Sequence, residues 1–348
     1  MKGQFSLQNI LSTAPGVVAP SRPSSTARSR DPISVGLVNY HIALSLFNGF
    51  MENLNPYICQ LDPTLHTFAY VQEKSSFLLT TVLTVAAKIL NPSAYPGLKD
   101  HAETLFCEGF RRGDKSPEVI QAILILTYWK ELDDTRAWSN VGYAIRLSMD
   151  LGWHNLSTED DQQFSTTLNS TDQRKRRNVE RTWLVLFVYD RSISLQTGKP
   201  RMIDRSVFLE SVDIWYRSPG ALASDVLLCA FVSLRLLTSE VFELLESQRT
   251  TSPRSQMHQR DSLLKIIEKQ VEAWQEHWLQ IAEEGAFGDD ESLDFSDTHP
   301  HSWLRSLQQA SDKVLRHPSK IASFVIFPQA SVDVTINRGR DEDGGNLD

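Results

Sequence analysis

Apolar residues recur at steps of three and four along most of the chain between Pro32 and Arg316. That spacing places them on one face of an α-helix. Leu37, Tyr40, Leu44, Phe47 and Met51 form the first such stripe. Ser75–Leu90 is apolar on most sides and ends at Asn91-Pro92, where the residue before proline disfavours the helical region. A helix is expected over Leu98–Phe110. Ser116-Pro117 reads as a cap followed by proline at the first helical position, ahead of the run Val119–Tyr128. Asp133 and Asp134 favour another start, with Trp138, Val141, Ile145 and Met149 on one face. Gly152 suits the left-handed residue that ends such a helix. Thr171–Leu195, Ala221–Glu246 and Met257–Glu283 complete the series. The last carries Leu264, Ile267, Val271, Trp274, Trp278 and Ile281 on one stripe, for packing into a core or for dimerisation. No sustained period-two run occurs. The pattern predicts an all-α, multi-helix domain over residues 32–316.

Three segments break that pattern. Residues 1–31 are rich in Pro, Ser and Thr and read as a flexible linker or tail. Their four basic residues against Asp31 leave a charge of +3. Residues 282–297 hold seven acids and no Lys or Arg, and read as an acidic loop inside the domain. Phe287, Leu293 and Phe295 are interleaved with those acids, which is also the composition of disordered activation segments. Residues 317–348 pass from a β-branched run to a Gly- and acid-rich end, and read as an atypical disordered tail.

Composition narrows the chemistry. The chain has 348 residues, with 35 Lys and Arg against 43 Asp and Glu, for a formal charge of −8. Phosphate contacts need clustered positive charge, so this balance argues against broad DNA binding by the chain itself. Cys59, Cys107 and Cys229 lie far apart, which excludes a Cys-x-x-Cys zinc or redox motif. Each reads as a small core residue. The longest strictly apolar run is Val226–Val232, far short of the ~20 residues a membrane helix needs. No glycine-rich phosphate loop, Gly-x-Ser-x-Gly elbow, His-Glu-x-x-His or Glu-x-x-His occurs. Asp133-Asp134 invites an aspartate-rich magnesium motif, but Ala137 stands where a further acid is needed. His299 and His301 have no apparent third metal ligand. With no nucleophile–base pair to name, the reading is non-enzymatic, with no catalytic, cofactor or metal residue.

One block is distinctive. It runs Ser116-Pro117-Glu118-Val119-Ile120-Gln121-Ala122, then Leu124 to Trp129, then Asp134-Thr135-Arg136-Ala137-Trp138. Gly142-Tyr143-Ala144-Ile145-Arg146-Leu147 and Asp150-Leu151-Gly152-Trp153-His154 follow. After a polar loop come Arg176-Arg177, Glu180-Arg181-Thr182-Trp183, Phe187, Asp190-Arg191 and Gly198-Lys199-Pro200. In number and order these motifs resemble the fungal-specific transcription factor domain, the regulatory middle homology region of zinc binuclear cluster regulators. The likeness covers residues 32–215 well and 216–316 more loosely. It implies an all-α regulatory domain acting in the nucleus, with the transcription machinery or co-regulators as partners. A homodimer and a small-molecule effector of unknown identity are open under the same reading. The family's zinc belongs to an N-terminal six-cysteine cluster that this sequence lacks, so DNA is contacted indirectly. A truncated interaction protein binding full-length relatives is the first alternative, and an unrecognised α-helical enzyme the second.

Two groups of charged residues stand out. Arg146 lies between Ile145 and Leu147, Asp150 is one turn further on, and Asp190-Arg191 closes an apolar run. Charges beside buried residues must pair or reach water. The expectation is that Arg146 and Asp190 are buried and paired, as a structural ion-pair network or as the lining of an effector pocket. Arg174, Lys175, Arg176 and Arg177 form a basic run near a helix start, where positive charge opposes the helix dipole. It reads as a nuclear-import or partner patch, or as a solvated basic face relieved by Glu180.

Overall fold

The computed structural model describes residues 30–58, 60–131, 133–157, 170–247, 265–266 and 268–281. Residues 1–29 of the expected linker, the acidic loop and the C-terminal tail lie outside these, as do Cys59, His299 and His301. The last two linker residues do not belong to a flexible tail, since Asp31 is buried and accepts from Ile33 N and Ser34 N, and Arg30 pairs with Glu108. Among the described residues every regular element is a helix. The chain divides into two compact units, Met1–Leu186 and Phe187–Asp348.

In the first unit the helices are α1 (Tyr40–Asn53), α2 (Asn55–Ile58), α3 (Phe68–Lys74), α4 (Ser76–Leu90), α5 (Tyr95–Arg112), α6 (Pro117–Tyr128) and α7 (Ala137–Asp150). A 3-10 turn, Trp153–Asn155, follows α7. The helix α8 (Ser170–Thr197) begins in this unit and ends in the second. The central element is α4, packed by α1, α5 and α6. Its residues from Phe77 to Ala87 are all buried, which is why its sequence is apolar on nearly every side. The hydroxyls of Thr80 and Thr84 donate to the carbonyls one turn back, so they enter the core without orphaned donors. Each large apolar side chain buried this way stabilises the fold by about 1.5–3 kcal/mol. Where α1 crosses the end of α4, a Cβ on Gly49 would sit 2.5 Å from Leu90 Cδ1. A larger residue there would require the exposed Leu90 side chain to move aside.

Helix starts follow the sequence signals. The Ser116 hydroxyl accepts from Val119 N, with Pro117 at the first helical position. Asn39, Thr67 and Ser75 cap α1, α3 and α4 in the same manner. Gly152 has φ +83°, in the left-handed region, at the end of α7.

Three expectations need correction. The buried face of α1 is Ala43, Leu46, Phe47 and Phe50, while Leu37 and Tyr40 are exposed. The chain enters α1 only after the Asn39 cap, so Leu37 sets no helical register. Asp133-Asp134 does not cap α7. Asp134 Oδ1 accepts from Arg136 N, and the helix starts after Arg136. Cys107 is exposed, because α5 turns Ala102 and Leu105 inward and position 107 outward.

The second unit holds the end of α8, the short helices α9 (Val207–Glu210) and α10 (Val212–Trp215), and α11 (Ala223–Ser247). A further helical stretch, α12, covers 268–281. Val271, Trp274 and Trp278 of the last stripe are buried. Trp274 Nε1 donates to the Ala230 carbonyl at 3.0 Å, and the Trp278 ring lies 5.6 Å from that of Tyr216. These three residues therefore pack within this unit.

Candidate functional site

A cleft of about 380 Å³ lies in the first unit, lined by the end of α4, the first turns of α5, the loop after α6 and the start of α7. It is dense in charge. The Tyr95 hydroxyl donates to Glu131 Oε1, and Lys88 Nζ lies 3.2 Å from the same oxygen. Lys88 also donates to the Trp129 carbonyl. Lys130 donates to the carbonyls of Glu131 at 3.2 Å and Asp134 at 2.8 Å, which pins the loop around its own side chain. Arg136 forms a two-point pair with Asp134 (3.0 and 2.8 Å) and reaches Glu103 at 3.1 Å. The Tyr95 hydroxyl and the Lys88 ammonium hold the Glu131 carboxyl below its ordinary range. The Arg136 guanidinium does the same to Asp134. Burial, with Glu131 alongside, pushes the Tyr95 phenol up.

A second cleft, of about 560 Å³, lies at the starts of α4 and α6. Its wall is a chain of aromatic rings. Phe77 stacks on Phe106 at 5.9 Å, Phe106 meets Tyr143 at 6.1 Å, and Tyr143 meets Phe110 at 5.1 Å. Lys74, Arg112 and Lys115 line its edge. Arg112 is bound to Asp114, and Lys115 to Asp150.

Beneath these surfaces runs a buried polar belt, formed by the loop 60–66, the start of α6 and the first half of α8. Asp62 is fully buried. It turns the loop by accepting from Thr64 N at 2.8 Å, and receives Arg174 Nη1 at 3.0 Å. His66 Nδ1 lies 3.1 Å from the Asp62 carbonyl, so that nitrogen carries the proton. Burial pushes the His66 imidazole below its ordinary pKa, against the opposing pull of Glu118 and Asp62. Gln121 Nε2 donates to Asn178 Oδ1 and Thr182 Oγ1. Gln60, also fully buried, has neither amide atom bonded among the described residues.

The residues singled out from sequence fall as follows. Arg146 is exposed, contrary to expectation, with one guanidinium nitrogen 3.5 Å from the Gly142 carbonyl. Its neighbours Ile145 and Leu147 point inward while it points out, since successive helical residues turn by about 100°. Asp150 meets Lys115 on the surface. Asp190 is buried in the second unit. Its carboxylate accepts from Met202 N and Ile203 N, both at 2.9 Å, and lies 3.6 Å from Arg191 Nη1. Those two bonds hold the loop that follows Gly198-Lys199-Pro200. Desolvation raises the Asp190 carboxyl, with the backbone donors opposing it. Arg191 packs over the Phe187 ring at 4.9 Å.

The basic run is not one face. Arg174 turns to Asp62, Lys175 to Asp172, and Arg176 to Glu180 at 3.0 Å, while Arg177 is buried. Sequence reasoning missed the roles of Lys88, Tyr95, Lys99 and Glu131. The available signal was the crowding of Lys130, Glu131, Asp133, Asp134 and Arg136 into seven positions directly after an apolar helix.

Among the described residues no three His, Cys, Asp or Glu side chains gather as a metal site, and no helix is long and apolar enough to cross a membrane. Among the described residues the regular elements are helices, and the two clefts of the first unit are built of ion pairs and aromatic rings. The family model described as the fungal specific transcription factor domain matches residues 50–276, and the chain belongs to that family. It is 34% identical over 277 residues to the protein named priB of Lentinula edodes, a match covering 77% of this chain and 44% of that protein. It is also 34% identical over 85 residues to "Transcription factor FBD3" of Gibberella moniliformis (strain M3125 / FGSC 7600), covering 24% of this chain and 10% of that protein. The chain thus spans less than half the length of either relative. No solved structure matches it.

Proposed function

We propose that this chain is the regulatory part of a fungal transcription factor that acts in the nucleus on RNA polymerase II transcription. The observation that carries the reading is the family match over 50–276, which coincides with the helical body from α1 to α12. DNA contact would be made by a zinc cluster outside this sequence or by a partner. A net charge of −8 and three scattered cysteines support that division of labour. The chain's own task is to receive a signal and to engage co-regulators or the transcription machinery. Fusion of the chain to an unrelated DNA-binding module, upstream of a reporter in a fungal host, tests this. Reporter output is expected to differ from that of the DNA-binding module alone, and a fluorescent fusion is expected to concentrate in the nucleus. Equal output with and without the chain would overturn the reading.

A further inference from the structure

The cleft beside the 129–136 loop satisfies most of its charges internally. Glu131 takes Lys88 and the Tyr95 hydroxyl, Arg136 takes Asp134 and Glu103, and Lys130 is directed to backbone carbonyls. Two groups are left over. The half-buried Lys99 ammonium stands 5.8 Å from the Tyr95 ring centroid, with no carboxylate in ion-pair contact among the described residues. The exposed Asp133 carboxylate has no cation in contact there either. Trp129 also lines the cleft, but its Nε1 is buried away from the opening, without a partner among the described residues. The apolar lining includes Val85, Phe106 and Leu126.

A cleft with one spare cation, one spare anion and an apolar wall matches a ligand bearing both charges. A simple anion would leave Asp133 unused. A simple cation would leave Lys99 unused. The volume of about 380 Å³ falls in the small-molecule range of ~300–1,000 Å³. We propose that this cleft binds a free amino acid with an apolar side chain. Its carboxylate is received by Lys99, its ammonium by Asp133, and its side chain by Val85, Phe106 and Leu126. This deepens the regulatory reading by naming the class of signal. Binding is measured on the purified chain, so a failure here leaves the reporter result standing.

The test is isothermal titration of the full chain with L-leucine and L-phenylalanine. The comparators are 4-methylpentanoate and 3-phenylpropanoate, which lack the ammonium, and isopentylamine and phenethylamine, which lack the carboxylate. Saturable binding of at least one amino acid is expected, with its one-charge analogues weaker by about tenfold or more, equivalent to about 1.4 kcal/mol. Lys99→Met and Asp133→Asn change side chains that are half-buried and exposed, so both should fold and both should weaken binding by a similar factor. Lys74→Met, in the other cleft, should bind as the parent does. The Trp129 indole N–H resonance, assigned by its loss in Trp129→Phe, should move on saturation. Absence of saturable binding at millimolar amino acid, equal affinity for a one-charge analogue, or unchanged affinity in Lys99→Met and Asp133→Asn would each overturn the proposal.

Discussion

The inner face of α8 carries charged side chains into the protein, whereas around the 129–136 loop they are at its surface. Arg177, Glu180, Arg181 and Asp62 are all 5% exposed or less. By contrast, the side chains of Arg136 and Glu103 are 58% and 45% exposed. The geometry of individual pairs does not separate the two regions, since Arg174–Asp62 and Arg136–Glu103 have nearly equal lengths of 3.0 and 3.1 Å. Solvent does. An ion taken from water must be compensated by its partners, and losing one partner leaves a charge without compensation. An ion at the surface is rehydrated when its partner leaves. The buried belt is therefore committed to holding the loop 60–66, α6 and α8 together. The surface cleft can exchange partners at little cost, which is what a ligand site requires.

The strongest way to break this comparison is to remove the belt's central acid. Asp62 compensates Arg174 and also accepts from Thr64 N, so Asp62→Ala removes both contacts from a fully buried position. The Arg174 side chain left behind is 32% exposed and rehydrates, so a loss of about 1–3 kcal/mol in urea unfolding, the cost of the unmade buried bonds, is expected. Asp62→Asn keeps an acceptor for the turn and should lose less. If Asp62→Ala unfolded at the parent's urea concentration, the belt would be no more committed than the surface.

A smaller effect sharpens the same point through pH. The His66 ring is fully buried, and its Nε2 has no partner among the described residues. Facing it are Asp62, Glu118 and Arg181, and desolvation outweighs the two acids to hold its pKa below the ordinary imidazole value of 6.5. The unfolded chain then binds more protons than the folded one below about pH 6.5. The stabilising effect of a neutral His66 is fully present above that pH and declines as pH falls toward the lower folded value. The slope cannot exceed about 1.4 kcal/mol per pH unit for one group. Unfolding midpoints taken between about pH 5.5 and 8 should fall on the acid side for the parent. The fall should be flatter for His66→Phe. Equal slopes would mean that the imidazole is already solvated.

Local signals along the chain were more legible than anything built from distant segments. Ser116-Pro117, Asn91-Pro92 and Gly152 each act within one helical turn, and each marks a real helix boundary. The long apolar stretches became α4, α6, α8 and α11, because a helix buried on most sides needs no register to be recognised. Register is less legible. The 3-4 spacing puts Leu37 and Tyr40 on the stripe of α1, yet that helix turns Ala43 and Leu46 to the core. The apolar neighbours of Arg146 suggest burial, although a helix separates the three in direction. The helices α2, α9 and α10 have four residues each, too few for a period to show. The charged cleft was illegible for another reason. Lys88, Tyr95, Lys99, Glu103 and Glu131 meet only because α4, α5 and α6 pack together, and no single segment contains more than part of it.

The smallest effect belongs to the cleft, and it is the other half of the comparison. In the Lys88–Glu131 pair the two side chains are 31% and 38% exposed, with an N–O separation of 3.2 Å. Lys88→Met keeps an unbranched side chain and removes the ammonium, which also lies 5.9 Å from the Tyr95 ring centroid. Glu131 would still accept from the Tyr95 hydroxyl, the first cause of its lowered pKa. The loss at neutral pH should therefore stay within about 1 kcal/mol. Its sign with pH follows from the carboxyl. A folded pKa below the unfolded value contributes stability above about pH 4.3, and that contribution disappears as pH falls through the folded value. The parent and Lys88→Met should accordingly differ most above pH ~4.3 and converge in stronger acid. Raised salt should also narrow the gap, because exposed pairs are screened. A loss approaching that of Asp62→Ala would show that the cleft's charges are structural, and the division between a committed interior and an exchangeable surface would have to be redrawn.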